Sequence, residues 1–496
     1  MSLAVTALAL VSSLAMASAE LTECTLETPG MARTEALCGS VVVGVAREGA
    51  PLAIHFAVLE ATGTKKQPDP IVLLPGGPGQ ASTELAGIAA LAFSKARRDR
   101  DVVLFDPRGT GRSMKLDCDD KRPLAEKLRA SDEEEAALLE ACARRLPLDP
   151  KEITTAHIAR DLDAVRVALG VTTWNLVGIS YGTRLALAYD RAFPGKARTL
   201  ILDGVVPFSM KVGEHAAEDA TRALDLLSRR AAYAPETRAQ HEAGQRAAST
   251  PPTLIQITRD LRAKLDAEPA EVALAHPTTA VPLSLRIDGD TAAGVVRMLV
   301  YGEESAAILP PLLRAAHRGD LAPLAAQLVL GEKLERTMSQ PMQLSILCSE
   351  DLAHLDAPTR SAPADGTPGS VASGNEEAVF PDFVAEMKQA CARWPHATVD
   401  VRFHDDEPTS PTPALLLSGS ADPVTPPAYG EAARKTLTNS VHVTARGVGH
   451  NVIFRGCVPE LVSRFLKAPD PVALDVTCTE RLGPFPVFID GMGPAP

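Results

Sequence analysis

Trp174-Asn175-Leu176-Val177-Gly178-Ile179-Ser180-Tyr181-Gly182 decides how this chain is read, and Thr183-Arg184-Leu185-Ala186-Leu187-Ala188 completes it. A short apolar run reads as a buried strand, and the residues after Gly182 favour helix. A turn that sharp crowds its own backbone, so small residues are needed two positions either side of Ser180. The same turn lifts the hydroxyl out of the sheet edge and leaves it at a helix N-terminus, where negative charge is favoured. G-x-S-x-G alone occurs often by chance. Between a strand and a helix it makes Ser180 a candidate nucleophile.

Outward from this turn, apolar runs alternate with helical patterns. Strands are expected over Ser40–Ala46, Ile54–Leu59, Ile71–Leu74, Val102–Asp106, Leu200–Asp203, Ala414–Ser418 and Val441–Ala445. Short β-rich runs with helices between them indicate an α/β chain with a mostly parallel sheet covered on both faces. Ile158, Leu162, Val165 and Leu169 recur at helical steps, so Thr155–Leu169 is expected as a helix. The strand rhythm stops after Pro207 and resumes near Pro413. From Phe208 to Leu347 the pattern reads as helices with Ala- and Leu-rich faces, an insertion of the lid type. Ala357–Gly374 reads as a mobile loop and Glu376–Arg393 as a helix leading back to the sheet. The organisation expected is a leader over 1–19, core over 20–207, lid and loop over 208–375, and core again over 376–496.

A serine nucleophile needs a base, and the base needs an orienting acid. In sheets bearing this turn both follow the serine, acid first. Asp422 ends the run Leu415-Leu416-Leu417-Ser418-Gly419-Ser420-Ala421, and His450 follows the next strand behind Gly447-Val448-Gly449. Asp203, also at a strand end, is the chief rival acid. His442 falls inside a strand, while His396 and His404 precede the acid. Acyl transfer also needs donors for a tetrahedral oxyanion. The N–H of Tyr181 is one candidate. Gly77, in Pro75-Gly76-Gly77-Pro78-Gly79-Gln80 after the strand Ile71–Leu74, is the other. Asp106 and Arg108, at another strand end, read as ties between loops. This chemistry calls for no metal and no organic cofactor.

The chain has 496 residues, a net charge of −12 and 45% hydrophobic residues. An acidic surface argues against nucleic acid and against stable membrane association, both of which need clustered Lys and Arg. No charge occurs from Ser2 to Ala19, and Ala17 and Ala19 fit an A-x-A cleavage site, although no Lys or Arg opens the segment. Secretion or periplasmic export is therefore expected. All eight cysteines lie beyond that point, and an even count in an exported chain reads as disulfides. Pairing neighbours gives Cys24–Cys38, Cys118–Cys142, Cys348–Cys391 and Cys457–Cys478. No C-x-x-C or H-E-x-x-H supports a zinc or redox reading.

Pro75-Gly76-Gly77-Pro78-Gly79, Asp106-Pro107-Arg108-Gly109-Thr110-Gly111-Arg112-Ser113 and Gly178-Ile179-Ser180-Tyr181-Gly182 together resemble the prolyl iminopeptidase and tripeptidyl aminopeptidase group of serine peptidases. Ser420-Ala421-Asp422-Pro423-Val424-Thr425-Pro426 and Gly449-His450 resemble the C-terminal part of the tripeptidyl aminopeptidase branch. The resemblance implies the α/β-hydrolase fold with an inserted helical lid, and release of residues from free peptide N-termini through an acyl-enzyme. It also implies an acidic group under the lid for the substrate ammonium. Glu350, in Cys348-Ser349-Glu350-Asp351, is the residue it points to, with Glu214 and Glu218 behind it. Pro75 stands where prolyl iminopeptidases usually carry His, which counts against strict prolyl specificity.

Three functions stay open on these grounds. The partner of the site is a peptide if the chain is an aminopeptidase. It is a small molecule if the same triad serves an esterase, lactonase or amidase. A non-catalytic binding protein on the same scaffold is the third, against which an intact set of triad residues speaks.

Overall fold

A computed structural model of the chain describes residues 19–232, 252–335, 337–355, 379–400, 402–405, 407, 409–490 and 493–494. Its longer strands are β1 (Thr22–Leu26), β2 (Thr34–Val45), β3 (Pro51–Leu59), β4 (Ile71–Leu74), β5 (Val102–Phe105), β6 (Trp174–Ile179), β7 (Ala197–Asp203), β8 (Ala270–Ala275), β9 (Pro282–Ile287), β10 (Ala414–Gly419) and β11 (Ser440–Ala445). Nine of them form one sheet in the order β1-β2-β3-β5-β4-β6-β7-β10-β11. From β5 to β11 every pairing is parallel, whereas β1, β2 and β3 join it antiparallel.

The apolar runs explain this arrangement. Every residue of β4, β6 and β10 is buried, because helices cover both faces and no side of those strands meets water. One face packs Val72, Leu176, Leu202 and Leu416 against Ile158, Leu162 and Leu185. The other packs Leu73, Val177, Ile201 and Leu417 against Leu461, Val462 and Phe465. The helix Thr155–Ala168 is capped by Thr154, whose side chain accepts from the His157 N–H. Chain order reverses between β4 and β6, and such a switch point opens a crevice at the carboxyl ends of the strands. The loops after β4 and β6 border it.

The insertion has a core of its own. Leu224, Leu261, Val296 and Leu309, from four helices, meet Val272, Leu285 and Ile287 from β8 and β9. Those two strands correct the purely helical expectation for Phe208–Leu347. They pair as an antiparallel hairpin in which Val272, Leu285 and Ile287 face inward while Glu271, Ser284 and Arg286 face water. Strand β1 was likewise absent from the strands expected. The helix expected from Glu376 is seen over Phe383–Arg393, capped by Asp382. The leader expected over 1–19, all but its last residue, and the loop expected over 357–374 lie outside the described residues.

The cysteines are joined as Cys24–Cys38, Cys118–Cys142, Cys348–Cys391 and Cys457–Cys478. Such cystines are consistent with an extracellular or envelope location. Among the described residues no helix is long and apolar enough to cross a membrane.

Candidate active site

Ser180 stands between β6 and the helix Tyr181–Ala192 with φ +56° and ψ −125°. A non-glycine residue holds such a conformation only where its surroundings fix it. Here the backbone is pinned by the Ser180 N–H, which donates to the Asp203 carbonyl at 2.8 Å. The flanking glycines are required by space. A Cβ on Gly182 would lie 2.1 Å from the Leu74 carbonyl oxygen, and one on Gly178 would lie 2.5 Å from that of Gly182. The loop after β4 lies alongside, since a Cβ on Gly76 would come within 3.6 Å of Ser180 Oγ. Gly77, with φ +107°, follows in that loop, and Tyr181 opens the helix.

Asp422 and His450 come together at the ends of the last two strands. His450 Nδ1 donates to Asp422 Oδ2 at 2.8 Å. The carboxylate also accepts from the N–H groups of Val424 and Thr425 at 2.9 and 2.8 Å, and from Thr425 Oγ1 at 2.7 Å. Burial opposes charge on Asp422, but the His450 charge and these hydrogen bonds hold its carboxyl below the usual range. For His450 burial works against protonation, but the charge and hydrogen bond of Asp422, with the charge of Asp203, together outweigh it, so the imidazole sits above its ordinary value. Its Nε2 is buried and has no hydrogen-bond partner among the described residues.

The rival acid Asp203 has another use. Its two oxygens accept from the Val452 and Ile453 N–H groups at 2.9 and 2.8 Å, fastening the loop just after His450. Burial pushes its carboxyl up to about 6. Asp106 accepts from the Thr83 N–H and hydroxyl at 2.9 and 2.8 Å, and Arg108 grips Asp161 with two bonds of 2.6 Å.

Glu350 requires a correction. It is 1% exposed, and its two oxygens accept from the Thr155 N–H and hydroxyl, each at 2.6 Å. Thr155 Oγ1 in turn meets Tyr181 OH at 2.7 Å. The carboxyl, pushed up to about 7 by burial, braces the helix start at Thr155 and has no free face for a substrate amine. Its neighbour Asp351 is spent on Arg184 at 2.9 Å. Of the lid acids, Glu218 is exposed and Glu214 half-buried. Asp219, next to Glu218, accepts from Tyr429 OH at 3.3 Å, and burial pushes its carboxyl up to about 7.

Three lid residues that sequence reasoning missed reach the loops of Asp422, His450 and Gly79. Arg222 donates to the Ser420 carbonyl at 2.7 Å and to the Asp422 carbonyl. The Tyr301 carbonyl accepts the His450 N–H at 3.1 Å, and the Ser339 N–H donates to Gly79 at 2.8 Å. A signal existed for Tyr301 alone, because between Phe208 and Phe380 the aromatic residues are Tyr233 and Tyr301.

Residues 69–248 match the family described as alpha/beta hydrolase fold, and residues 377–478 match the TAP-like protein family. Serine protease Hip1 of Mycobacterium tuberculosis is 34% identical over 189 residues, which are 34% of this chain and 36% of that one. Tripeptidyl aminopeptidase of Streptomyces lividans is 32% identical over 29% of this chain and 30% of its own. Proline iminopeptidase of Xylella fastidiosa (strain Temecula1) is 32% identical over 27% and 32% respectively. Each match spans about a third of the relative's length.

Proposed function

We propose that this chain, which belongs to the α/β-hydrolase fold family and carries its TAP-like C-terminal segment, releases residues or short peptides from free peptide N-termini. It is a serine hydrolase of the peptidase type. The observation that carries the mechanism is the pair of ring nitrogens on His450, one given to Asp422 and the other left open. With Nδ1–H on the carboxylate, Nε2 is the lone pair that takes the Ser180 proton as Oγ attacks the scissile carbonyl. The imidazolium formed is stabilised by Asp422 and returns the proton to the leaving amine. Water, activated by the same nitrogen, then opens the acyl-enzyme. The N–H groups of Tyr181 and Gly77 are assigned to the oxyanion. Export by a leader over 1–19 belongs to the same reading, and the cystines support it.

Glu350 being internal, the substrate ammonium needs another carboxylate. Asp219 fits best, as a half-buried acid one helical turn from Arg222 and hence beside the acid loop. An ammonium beside it would draw its carboxyl down and pair with the charged form. The test is turnover of a tripeptide amide with free and acetylated N-terminus, across pH, in wild type and Asp219→Asn. Below about 7 Asp219 takes a proton, so KM for the free amine should rise as pH falls while that for the acetylated amide stays flat. Asp219→Asn should abolish the difference. Equal turnover of both amides by the wild type would remove the aminopeptidase reading and leave an esterase or amidase.

A further inference from the structure

We propose that Met338 is a positioning residue of the oxyanion loop, and that oxidation of its thioether unseats that loop. The proposal rests on Ser180 as nucleophile and Gly77 as oxyanion donor, whether the substrate is a peptide or an ester. The loop cannot hold itself. Gly76-Gly77-Pro78-Gly79 has three residues without a side chain, and Gly77 and Gly79 carry φ of +107° and +116°. Glycine loses the most conformational freedom when ordered, so neighbours must fix where the Gly77 N–H points.

Two neighbours bound it. From the sheet, the Ser180 turn stands so close that a Cβ on Gly76 would lie 3.0 Å from the Ser180 Cβ. From the lid, a Cβ on Gly77 would lie 2.5 Å from the Met338 methyl carbon. That methyl therefore fills the space that any side chain on Gly77 would need. The main chain around Met338 is itself fastened. Met338 pairs with Gln80 in a single antiparallel bridge, and the Ser339 N–H donates to the Gly79 carbonyl at 2.8 Å. The Ser339 hydroxyl donates to the Leu116 carbonyl at 2.9 Å and accepts from the Met342 N–H, capping the helix Gln340–Ile346. The lid thus grips the loop by its backbone at Gly79 and by one side chain at Gly77.

Ser339 is buried, whereas Met338 is half-buried and within reach of a small oxidant. Hydrogen peroxide gives one oxygen atom to the thioether sulfur and leaves as water, and the product is the sulfoxide. A sulfoxide is polar, and it requires water or a donor that an apolar contact with Gly77 does not supply. The methyl then withdraws from the loop, and the Gly77 N–H loses its backing.

The test is hydrolysis of a nitrophenyl ester, with inhibition by an alkyl trifluoromethyl ketone whose hemiketal with Ser180 places an oxyanion at the same donors. Ester turnover that survives in Ser180→Ala would defeat the assignment of the nucleophile, which is a separate failure. Met338→Ala should lower kcat about ten- to a hundredfold with KM little changed, as a misplaced donor does. Ketone binding should weaken by a similar factor, and Met338→Leu, which refills the space, should recover most of both. Peroxide acts on the folded wild type, so it decides the matter if the alanine variant misfolds. Turnover should fall in step with Met338 sulfoxide measured by mass spectrometry, and far less in Met338→Leu. An unchanged kcat in Met338→Ala, a fall in kcat without weaker ketone binding, or full activity with Met338 oxidised overturns the proposal.

Discussion

The sheet and the lid divide the work of this enzyme unequally, and their difference is one of reach. In the sheet, each functional residue is placed by the strand it ends: Ser180 by β6, Asp422 by β10, His450 by β11. The lid acts across the gap. Arg222, Tyr301 and Ser339 come from separate parts of the insertion, and each contacts a different catalytic loop. On the function proposed, the sheet carries the groups that react, while the lid holds the loops that present them. The lid also has a hydrophobic core separate from the two that flank the sheet.

The largest effect expected on the sheet side comes from Asp422→Asn, which leaves the geometry near native but removes the charge that orients His450. On the order of 10⁴ should be lost from kcat in a steady-state peptide assay. Asp203→Asn, touching the same loop from below, should cost far less. A comparable loss in both would mean that the acids share the role.

Next comes Leu224→Ala in the lid core. Leu224 is fully buried, and its truncation should cost about 2–5 kcal/mol of local stability. If the lid melts as its own unit, activity should fall at a lower temperature than far-ultraviolet ellipticity does. Coincident midpoints would make lid and sheet one cooperative body.

The smallest of the three is Arg222→Met, which deletes two bonds to the acid loop and spares every reacting group. Loss of charge-assisted hydrogen bonds predicts on the order of tenfold in kcat, with KM little changed. No change in kcat would reduce the lid to a cover.

The same contrast explains what could be read in advance. A parallel strand buried on both faces is a continuous apolar run, so β4, β6 and β10 stood out in the sequence. Ser180 and Asp422 were legible because they lie just past such runs, and His450 because it follows the next strand behind a Gly-x-Gly turn. The lid hairpin was not. Ala270-Glu271-Val272-Ala273-Leu274-Ala275 has good helix formers, and only the partner strand makes its alternation decisive. Glu350 misled for a related reason. A carboxylate looks the same in sequence whether it faces solvent, substrate or, as here, a helix start 195 residues away. Arg222 and Asp219 lie on one amphipathic helix, and nothing local tells which polar residues of such a face will find a loop.

The Cys348–Cys391 bond has a consequence for how this molecule would age among other proteases. It closes a ring of chain running from the end of the lid to the helix that re-enters the sheet. A single cut anywhere inside that ring breaks the polypeptide but not the molecule, because the two pieces stay tied through sulfur. Both loops of the Asp–His pair lie on the later piece and Ser180 on the earlier, so a nicked chain keeps the proposed triad on one covalent frame. On a gel such material would run as one band without reductant and as two with it.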